Sequence, residues 1–191
     1  MAGILLRDTS VGNLMVDITD LSKGVLVDFS MAVLDKDPKT GKQLDHDSTQ
    51  DIAPYYRAID LCQDDPLPRS LYRHELESFF YALCYILAYR AKVHEEYPLA
   101  DCGNGTWEDI KSRKREWLKT SRTSSKPFPD EVSLQDTWVI PLMEIFRKGY
   151  DARDNYNPRG VGKKKAGTGP DGETLGGHVT YEAFMRVLNS Q

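Results

Sequence analysis

Two stretches near the N-terminus decide how this chain is interpreted: LRDTSVGN at residues 6–13 and GVLVDFS at residues 24–30. The first places a carboxylate, Asp8, shortly before an amide, Asn13. The second places another carboxylate, Asp28, directly after an apolar run that predicts a short buried strand. Taken singly, Asp8 and Asn13 are also typical turn residues. Taken together, in this order and separated by a β-like run, they are better explained as parts of one motif.

The order of these residues resembles the catalytic loop of protein kinases, H-R-D-x-x-x-x-N, and the metal-binding D-F-G turn that follows it. Leu6 stands in place of the His, and Ser30 stands in place of the Gly. The resemblance implies that Asp8 accepts the proton of a substrate hydroxyl. It also implies that Asn13 and Asp28 hold Mg²⁺ against the phosphates of ATP, so Mg²⁺ and ATP are the implied cofactors.

A third stretch, YRHELESFFYAL at residues 72–83, is similar to the YRHDLESFFYVL signature of the fungal-type protein kinase family. Shorter stretches also resemble that family: RDTSVGN at 7–13, LVDFSMA at 26–32, AIDL at 58–61 and VTYEAF at 179–184. The resemblance implies that Glu75 braces the catalytic-loop backbone and that Asp60 pins the end of the activation segment. Arg7 would belong to the same support. The alternative for Glu75 and Asp60 is a solvated carboxylate at a helix start or in a turn.

The fold that the resemblance implies is mainly α: a protein-kinase-like C-lobe with a short catalytic-loop β-hairpin and a helical bundle. We expect the catalytic loop and metal-binding turn in 1–34, an activation segment in 35–60, a helical core in 73–153, a disordered Gly- and Lys-rich insert in 154–177 and a terminal helix in 178–191. The ATP-binding N-lobe is expected to be absent, because no Gly-rich loop, phosphate-pairing Lys or partner Glu helix is recognised before Leu6.

Several positions depart from the family pattern. Leu6 keeps the packing of the usual His but loses its hydrogen bond. QDIA at residues 50–53 stands where the family has R-T-G-T, so a Thr hydroxyl that orients the catalytic carboxylate is missing. PYYR at residues 54–57 would then form the substrate-facing loop. Ser48 and Thr49 are candidate phosphorylation sites whose added charge Arg7 could pair with, or else unmodified surface hydroxyls.

The helical predictions come from apolar spacing. Residues 73–90 are apolar nearly all round, which is typical of a helix inside a protein. A basic helix is expected at about 106–121, with one buried and one solvated face, or with an anion or acidic-peptide site on its basic side. Residues 131–153 are predicted to be mostly helical, and Thr180 is a candidate cap of the last helix.

Composition limits the partners. The 191 residues carry a net charge of −4, which gives no case for a nucleic-acid partner. No stretch reads as a signal peptide or membrane segment, so we expect a cytoplasmic or nuclear protein with no membrane partner. Cys62, Cys84 and Cys102 have no metal-like spacing and are expected to be reduced thiols. The expected partner is a protein, either a substrate or a binding partner.

Three functions remain open from the sequence. The chain is the C-terminal part of an ATP-dependent serine/threonine kinase, a pseudokinase-like interaction module, or a truncated product with no activity of its own. The residues in the motifs favour the first hypothesis. The loss of the loop His, the changed activation segment and the expected absence of an ATP-binding lobe favour the other two. As an isolated chain it is not expected to be active.

Overall fold

The computed structural model describes residues 3–44, 52–64, 66–95, 97–120, 132–156 and 171–190. These residues form four short strands and five α-helices: β1 Ile4–Leu5, β2 Leu14–Asp17, β3 Asp20–Leu26, β4 Val33–Leu34, α1 Tyr72–Arg90, α2 Trp107–Thr120, α3 Val132–Leu134, α4 Ile140–Asp154 and α5 Tyr181–Leu188. A π-turn, Gln135–Val139, joins α3 to α4. The expectation of a mainly α fold is therefore confirmed in that the structure is rich in helix.

The N-terminal part consists of two antiparallel strand pairs. β1 pairs with β4, and β2 pairs with β3 in a hairpin that opposes Leu14 to Leu26. The apolar run that ends at Val27 was expected to be a buried strand, and this is wrong. Ile18 is 92% exposed and Leu21 81% exposed, and Val25 and Val27 also face solvent. The hairpin has no second layer over it among the described residues, so its apolar side chains remain at the surface.

The core is built around α1. Its Phe80 ring stacks on Trp117 of α2 at a centroid distance of 5.6 Å and on Phe146 of α4 at 5.3 Å. Close packing of large aromatic rings buries much apolar area, and it adds a geometric preference for offset stacking. The three longest helices therefore meet at one aromatic cluster, and α5 closes it through Phe184, whose ring meets Phe146 edge-on.

The region predicted as a disordered insert is only partly within the described residues. Residues 157–170 lie outside them, as do Ser48 and Thr49. Residues 171–177 form turns, so disorder is wrong there. The physical reason is Leu175, which is 1% exposed and packs against Gly149 of α4. A Cβ at Gly149 would lie 2.9 Å from the Leu175 Cβ, so only a glycine admits this approach.

Helix ends agree closely with the sequence. The last helix begins after Thr180, whose hydroxyl oxygen accepts a hydrogen bond from the Ala183 backbone N–H at 3.1 Å, as expected for an N-cap. The three cysteines are free and buried. In the part of the chain that the structure describes, no helix has both the length and the apolar composition needed to span a membrane.

Candidate active site

The loop at residues 7–13 holds a carboxylate and an amide in direct contact. A 3₁₀ turn, Val11–Asn13, brings the chain back toward Asp8 before β2 begins. The Asn13 amide nitrogen donates to the Asp8 backbone oxygen at 3.0 Å and to Asp8 Oδ2 at 2.8 Å. The other Asp8 carboxylate oxygen and the Asn13 amide oxygen make no hydrogen bond with any residue the structure describes. Both oxygens are therefore available to a ligand.

Asp28 lies next to this loop through the backbone. The Val27 backbone N–H donates to the Asn13 backbone oxygen at 3.0 Å, and Asp28 is the following residue. The Asp28 side chain is exposed. Its pKa is lowered by the Ser30 side chain and by the Ser30 backbone N–H, which donates to Asp28 Oδ1 at 3.1 Å. No hydrogen bond within the described residues joins its carboxylate to Asp8 or Asn13.

Two of these motif positions have an unusual backbone. Arg7 has φ of 63° and Asp28 has φ of 59°, in the left-handed region that non-glycine residues rarely adopt. Such a conformation costs on the order of 1–3 kcal/mol and persists only when its surroundings hold it. The Arg7 side chain reaches across and donates from Nε to the Met31 backbone oxygen at 2.8 Å. This contact ties the loop to the turn that carries Asp28.

Glu75, in the first turn of α1, contacts the same loop through both of its carboxylate oxygens. Its Oε1 accepts from the Arg7 backbone N–H at 3.0 Å, and its Oε2 accepts from the Thr9 hydroxyl at 2.9 Å. Burial raises the pKa of Glu75, although these donors and the Leu6 backbone act to lower it. Glu75 is thus a buried carboxylate whose oxygens are occupied by the loop, not a solvated residue at a helix start.

Asp60 lies between two arginines. Its Oδ2 accepts from Arg73 Nη2 at 2.5 Å, and its Oδ1 accepts from Arg153 Nη1 at 2.6 Å. Burial acts to raise the pKa of Asp60, but the two guanidinium groups outweigh burial and hold the pKa below its usual value. The contact joins the 3₁₀ turn Ile59–Leu61 to α1 and to the end of α4. Asp60 therefore fixes residues 58–61 against the helical core.

Glu77 was not singled out from the sequence, yet it is the most fully enclosed acid of this region. Its Oε1 accepts from the Ile59 backbone N–H at 3.0 Å and from the Tyr81 hydroxyl at 2.8 Å, and its Oε2 accepts from the Tyr150 hydroxyl at 2.7 Å. Burial raises its pKa. One signal was available, because Glu77 lies on the face of α1 between Arg73 and Tyr81, where neighbouring turns contribute buried side chains.

The basic helix expected at about 106–121 has one buried and one solvated face, and one of its lysines, Lys114, lies on the buried face. It is 0% exposed, and its ammonium donates to the backbone oxygens of Pro54 at 2.9 Å, of Tyr55 at 3.1 Å and of Arg57. The same ammonium lies 4.0 Å from the centre of the Tyr81 ring. Burial lowers its pKa. Lys114 therefore holds residues 54–57, the predicted substrate-facing loop, in place.

Arg57, in that loop, does not face solvent. Its side chain is buried, and its guanidinium lies 4.3 Å from the centre of the Trp107 ring. The loop instead turns its two tyrosines toward Tyr85 of α1. Tyr56 is buried and Tyr55 half-buried, so this part of the loop packs against α1.

The oxygens of the loop suit a hard cation. A free carboxylate oxygen on Asp8, a free amide oxygen on Asn13 and the exposed carboxylate of Asp28 are the donor types that Mg²⁺ accepts with water completing its octahedron. The residues present thus fit Mg²⁺ by the chemistry of their donors. No cluster of three His, Cys, Asp or Glu suited to a metal occurs in the described ranges, so a fully protein-enclosed site is not formed there.

Comparison with models of protein families gives a match to the N-terminal part of the chain. The family model of the fungal protein kinase matches residues 1–87, which include the loop at 7–13, Asp28, Asp60 and most of α1. No curated protein matches the chain. The predicted family is confirmed over this segment, whereas the likeness expected at residues 179–184 lies beyond the match and stays a prediction. The match to the fungal protein kinase family thus covers 87 of the 191 residues.

Proposed function

We propose that the chain is the C-terminal part of a serine/threonine protein kinase domain, with a kinase-like C-lobe fold and a phosphoryl-transfer site at residues 8–28. Asp8 is the base, Asn13 and Asp28 are Mg²⁺ ligands, and Arg7, Asp60 and Glu75 are supporting residues. The observation that carries the proposal is the contact of the Asn13 amide with Asp8, which leaves one oxygen of each side chain without a hydrogen-bond partner among the described residues. When bound, Mg²⁺-ATP would supply the transferable phosphoryl group and neutralise its charge.

In this proposal Asp8 receives the proton of a serine or threonine hydroxyl on its free carboxylate oxygen. The Asn13 amide nitrogen fixes the orientation of that carboxylate through the 2.8 Å hydrogen bond to the other oxygen. A base held in one orientation loses less entropy when the substrate docks, and positioning of this kind accounts for much of an enzyme's rate. Glu75 contributes indirectly, because it holds the backbone that precedes and follows Asp8.

The proposed metal binding by Asp28 has to be compatible with Ser30, which already donates to the Asp28 carboxylate. Both donors favour the ionised form, and a metal ligand has to be ionised. One carboxylate oxygen can accept from Ser30 while the other binds a cation, as carboxylates have about four lone-pair positions. The departure from Gly at residue 30 is therefore compatible with metal binding, although it adds a competitor for one oxygen.

The test is thermal denaturation of the full chain with Mg²⁺-ATP, with ATP in EDTA and with Mg²⁺ alone. A ligand at a hundred times its Kd stabilises by about 2.7 kcal/mol, which for a chain of this size raises Tm by roughly 5–10 °C. We expect a shift only with Mg²⁺-ATP, and we expect Asp28→Asn to abolish it. Asp64→Asn is the matched control, because Asp64 is exposed and far from the loop in sequence.

Paramagnetic Mn²⁺ in place of Mg²⁺ gives a readout that does not depend on activity. It should broaden the NMR amide signals of residues 8–13 and 28–30 before those of the other exposed carboxylates, and Asp28→Asn should remove this preference. Uniform broadening over all surface carboxylates, or none at the loop, would refute the metal assignment. We expect no phosphoryl transfer by the isolated chain, since the residues that orient the nucleotide phosphates in kinases are not recognised in it.

A pseudokinase-like interaction module is the second candidate. Two observations favour it: Leu6 replaces the loop His, and the apolar side chains of the β2–β3 hairpin are exposed around Ile18 and Leu21. Exposed apolar patches are typical of surfaces that bind another protein. The two candidates separate in the same experiment, because the second predicts a cooperative melt with no response to Mg²⁺-ATP.

A further inference from the structure

A cavity of about 530 Å³ opens beside the predicted substrate-facing loop. The described residues that form it include four tyrosines, Tyr55, Tyr56, Tyr85 and Tyr97, and three titratable residues at its rim, His94, Glu95 and Asp101. Its volume is in the range of pockets that bind small ligands and larger than one amino-acid side chain needs. Lys114, which donates to the backbone oxygens of the same loop, is not among the residues that line the cavity.

The rings of Tyr55, Tyr56 and Tyr85 contact one another and form an aromatic box. Tyr55 and Tyr56 have their centroids 6.4 Å apart, and each lies edge-on to Tyr85, at 6.2 Å and 5.8 Å. The interplanar angles of 52°, 64° and 72° turn the rings away from mutual stacking. A ring that does not stack on its neighbour leaves part of its electron-rich face available to another group.

Close packing fixes the box in place. A Cβ on Gly103 would lie 2.7 Å from the Tyr55 hydroxyl, so the absence of a side chain at Gly103 makes room for Tyr55. Tyr56 is buried in the core cluster, and Val11, in the loop between Asp8 and Asn13, packs against that cluster. Burial raises the pKa of Tyr56 to about 12, so the phenol remains neutral. The aromatic wall and the candidate catalytic loop thus meet at the same core cluster.

The rim of the cavity carries unbalanced negative charge. Glu95 is exposed and forms no ion pair or hydrogen bond with any described residue. Asp101 is shared, because Arg113 lies 4.0 Å from its carboxylate and also donates to its backbone oxygen. The His94 ring lies 5.5 Å from the ring of Tyr89, which does not line the cavity. The charged groups facing the cavity are therefore one free carboxylate, one partly neutralised carboxylate and a histidine.

We propose that this cavity binds a cationic side chain, arginine or lysine, of the protein substrate, an inference that rests on the proposed kinase function. Aromatic faces attract a cation through their quadrupole, and the attraction grows as the cation leaves water. A carboxylate at the rim adds Coulomb attraction and orients the charged end of the side chain. Because Val11 packs against the cluster that includes Tyr56, a cation in this cavity would lie on the side of the core that borders the loop where the substrate hydroxyl would react.

The experiment measures peptide binding to the full chain by fluorescence anisotropy, without nucleotide and without divalent metal. The probes are short fluorescein-labelled serine peptides that contain arginine, with matched peptides in which lysine, citrulline or norleucine replaces it. Citrulline is nearly isosteric with arginine but carries no charge. We expect the arginine and lysine peptides to bind about three- to tenfold more tightly than the citrulline peptide at physiological ionic strength.

Four variants identify the site. Tyr85→Ala and Glu95→Gln should each reduce the preference for the charged peptides by about two- to fivefold. Tyr85→Phe keeps the ring and should bind as the wild type does. Glu116→Gln removes an exposed carboxylate of α2 outside the cavity and should also have no effect. Circular dichroism establishes that Tyr85→Ala folds, and Glu95→Gln keeps the test valid if it does not, because Glu95 is exposed.

Equal affinity for the arginine and citrulline peptides would overturn the proposal, as would the absence of binding to any peptide. The proposal would also be overturned if Glu95→Gln and a folded Tyr85→Ala both kept the full preference for charged peptides, since the cation would then bind elsewhere. A preference for arginine over lysine, or the reverse, supports the proposal and identifies the side chain. These results are independent of Mg²⁺-ATP binding, so failure of the kinase assignment and failure of this inference can be told apart.

Discussion

Replacement of Asp60 by Asn tests whether the two-arginine contact holds the region between the loop and the helices. The Arg73 side chain is only 6% exposed, so Asp60→Asn leaves a buried guanidinium without its counter-charge. Removing one partner of a buried ion pair costs about 3–5 kcal/mol, whereas the more exposed contact with Arg153 contributes roughly 0.5–1 kcal/mol. We expect a loss of about 4 kcal/mol, a large part of the roughly 5–15 kcal/mol that a domain has.

The assay is urea denaturation at neutral pH, followed by tryptophan fluorescence, because the Trp117 ring is buried in the core. Asp101→Asn is the matched control. It removes the same charge, but its side chain is 80% exposed and 4.0 Å from Arg113, so we expect at most about 0.5 kcal/mol. A loss below about 1 kcal/mol for Asp60→Asn, or a loss equal to that of the control, would refute the reasoning.

The lowered pKa of Asp60 predicts that its contribution to the stability of the chain depends on pH. Its pKa is lower in the folded chain than the usual 3.8, because its arginines outweigh the effect of burial. The stabilisation is therefore present above pH 3.8 and is lost as the pH falls through the folded pKa. We expect the difference between the wild type and Asp60→Asn to be constant from pH 7 to about pH 5 and to narrow in more acidic solution.

Three further predictions concern other buried positions. Burial, assisted by a neighbouring arginine, lowers the pKa of His74 from 6.5 to about 3. The free energy of unfolding should therefore fall as the pH drops below 6.5, by up to about 1.4 kcal/mol per pH unit. In urea titrations, His74→Gln should reduce this dependence on pH. Gly149→Ala should cost about 1–3 kcal/mol in thermal denaturation because of the contact with Leu175, whereas Gly24→Ala, with no atom within 4 Å, should change little. Glu75→Gln should cost about 2 kcal/mol and speed hydrogen exchange of the loop amides, and unchanged exchange would contradict its bracing role.

The helices could be predicted well because their signals are local. Apolar spacing predicted a helix at 73–90, and the structure has α1 at Tyr72–Arg90. A hydroxyl before an apolar run predicted the cap at Thr180. Such patterns depend on residues within a turn or two of each other, so one sequence contains all the information that they need.

The basic helix illustrates a signal that was present but not used. Ile110, Lys114, Trp117 and Leu118 are spaced as one face of a helix, and all four are buried. The spacing placed Lys114 on the apolar face, although its charge suggested the solvated one. The position of Lys114 on the buried face is decided by three backbone oxygens of residues 54–57, which accept hydrogen bonds from its ammonium. No residue near Lys114 in the sequence indicates these oxygens.

The motif predicted Asp8, Asn13 and Asp28 as site residues. The contact of Asp8 with Asn13 is present, whereas metal binding by Asn13 and Asp28 and the catalytic role of Asp8 stay predictions. The burial of the hairpin was predicted wrongly, because an apolar run indicates a strand without indicating what covers it. The arginine partners of Asp60 are separated from it by 13 and 93 residues, and pairings over such distances depend on the packing of whole helices.

Glu77 has a consequence for the way this lobe assembles. Its carboxylate receives donors from residues 18 and 73 positions away, one in the turn after the loop and one in α4. If only one of these segments is docked, the enclosed acid lacks part of its hydrogen bonding and bears the desolvation penalty of a buried polar group. Intermediates with a single segment attached are therefore disfavoured, and the N-terminal turn and the distant helix are coupled into one cooperative unfolding unit.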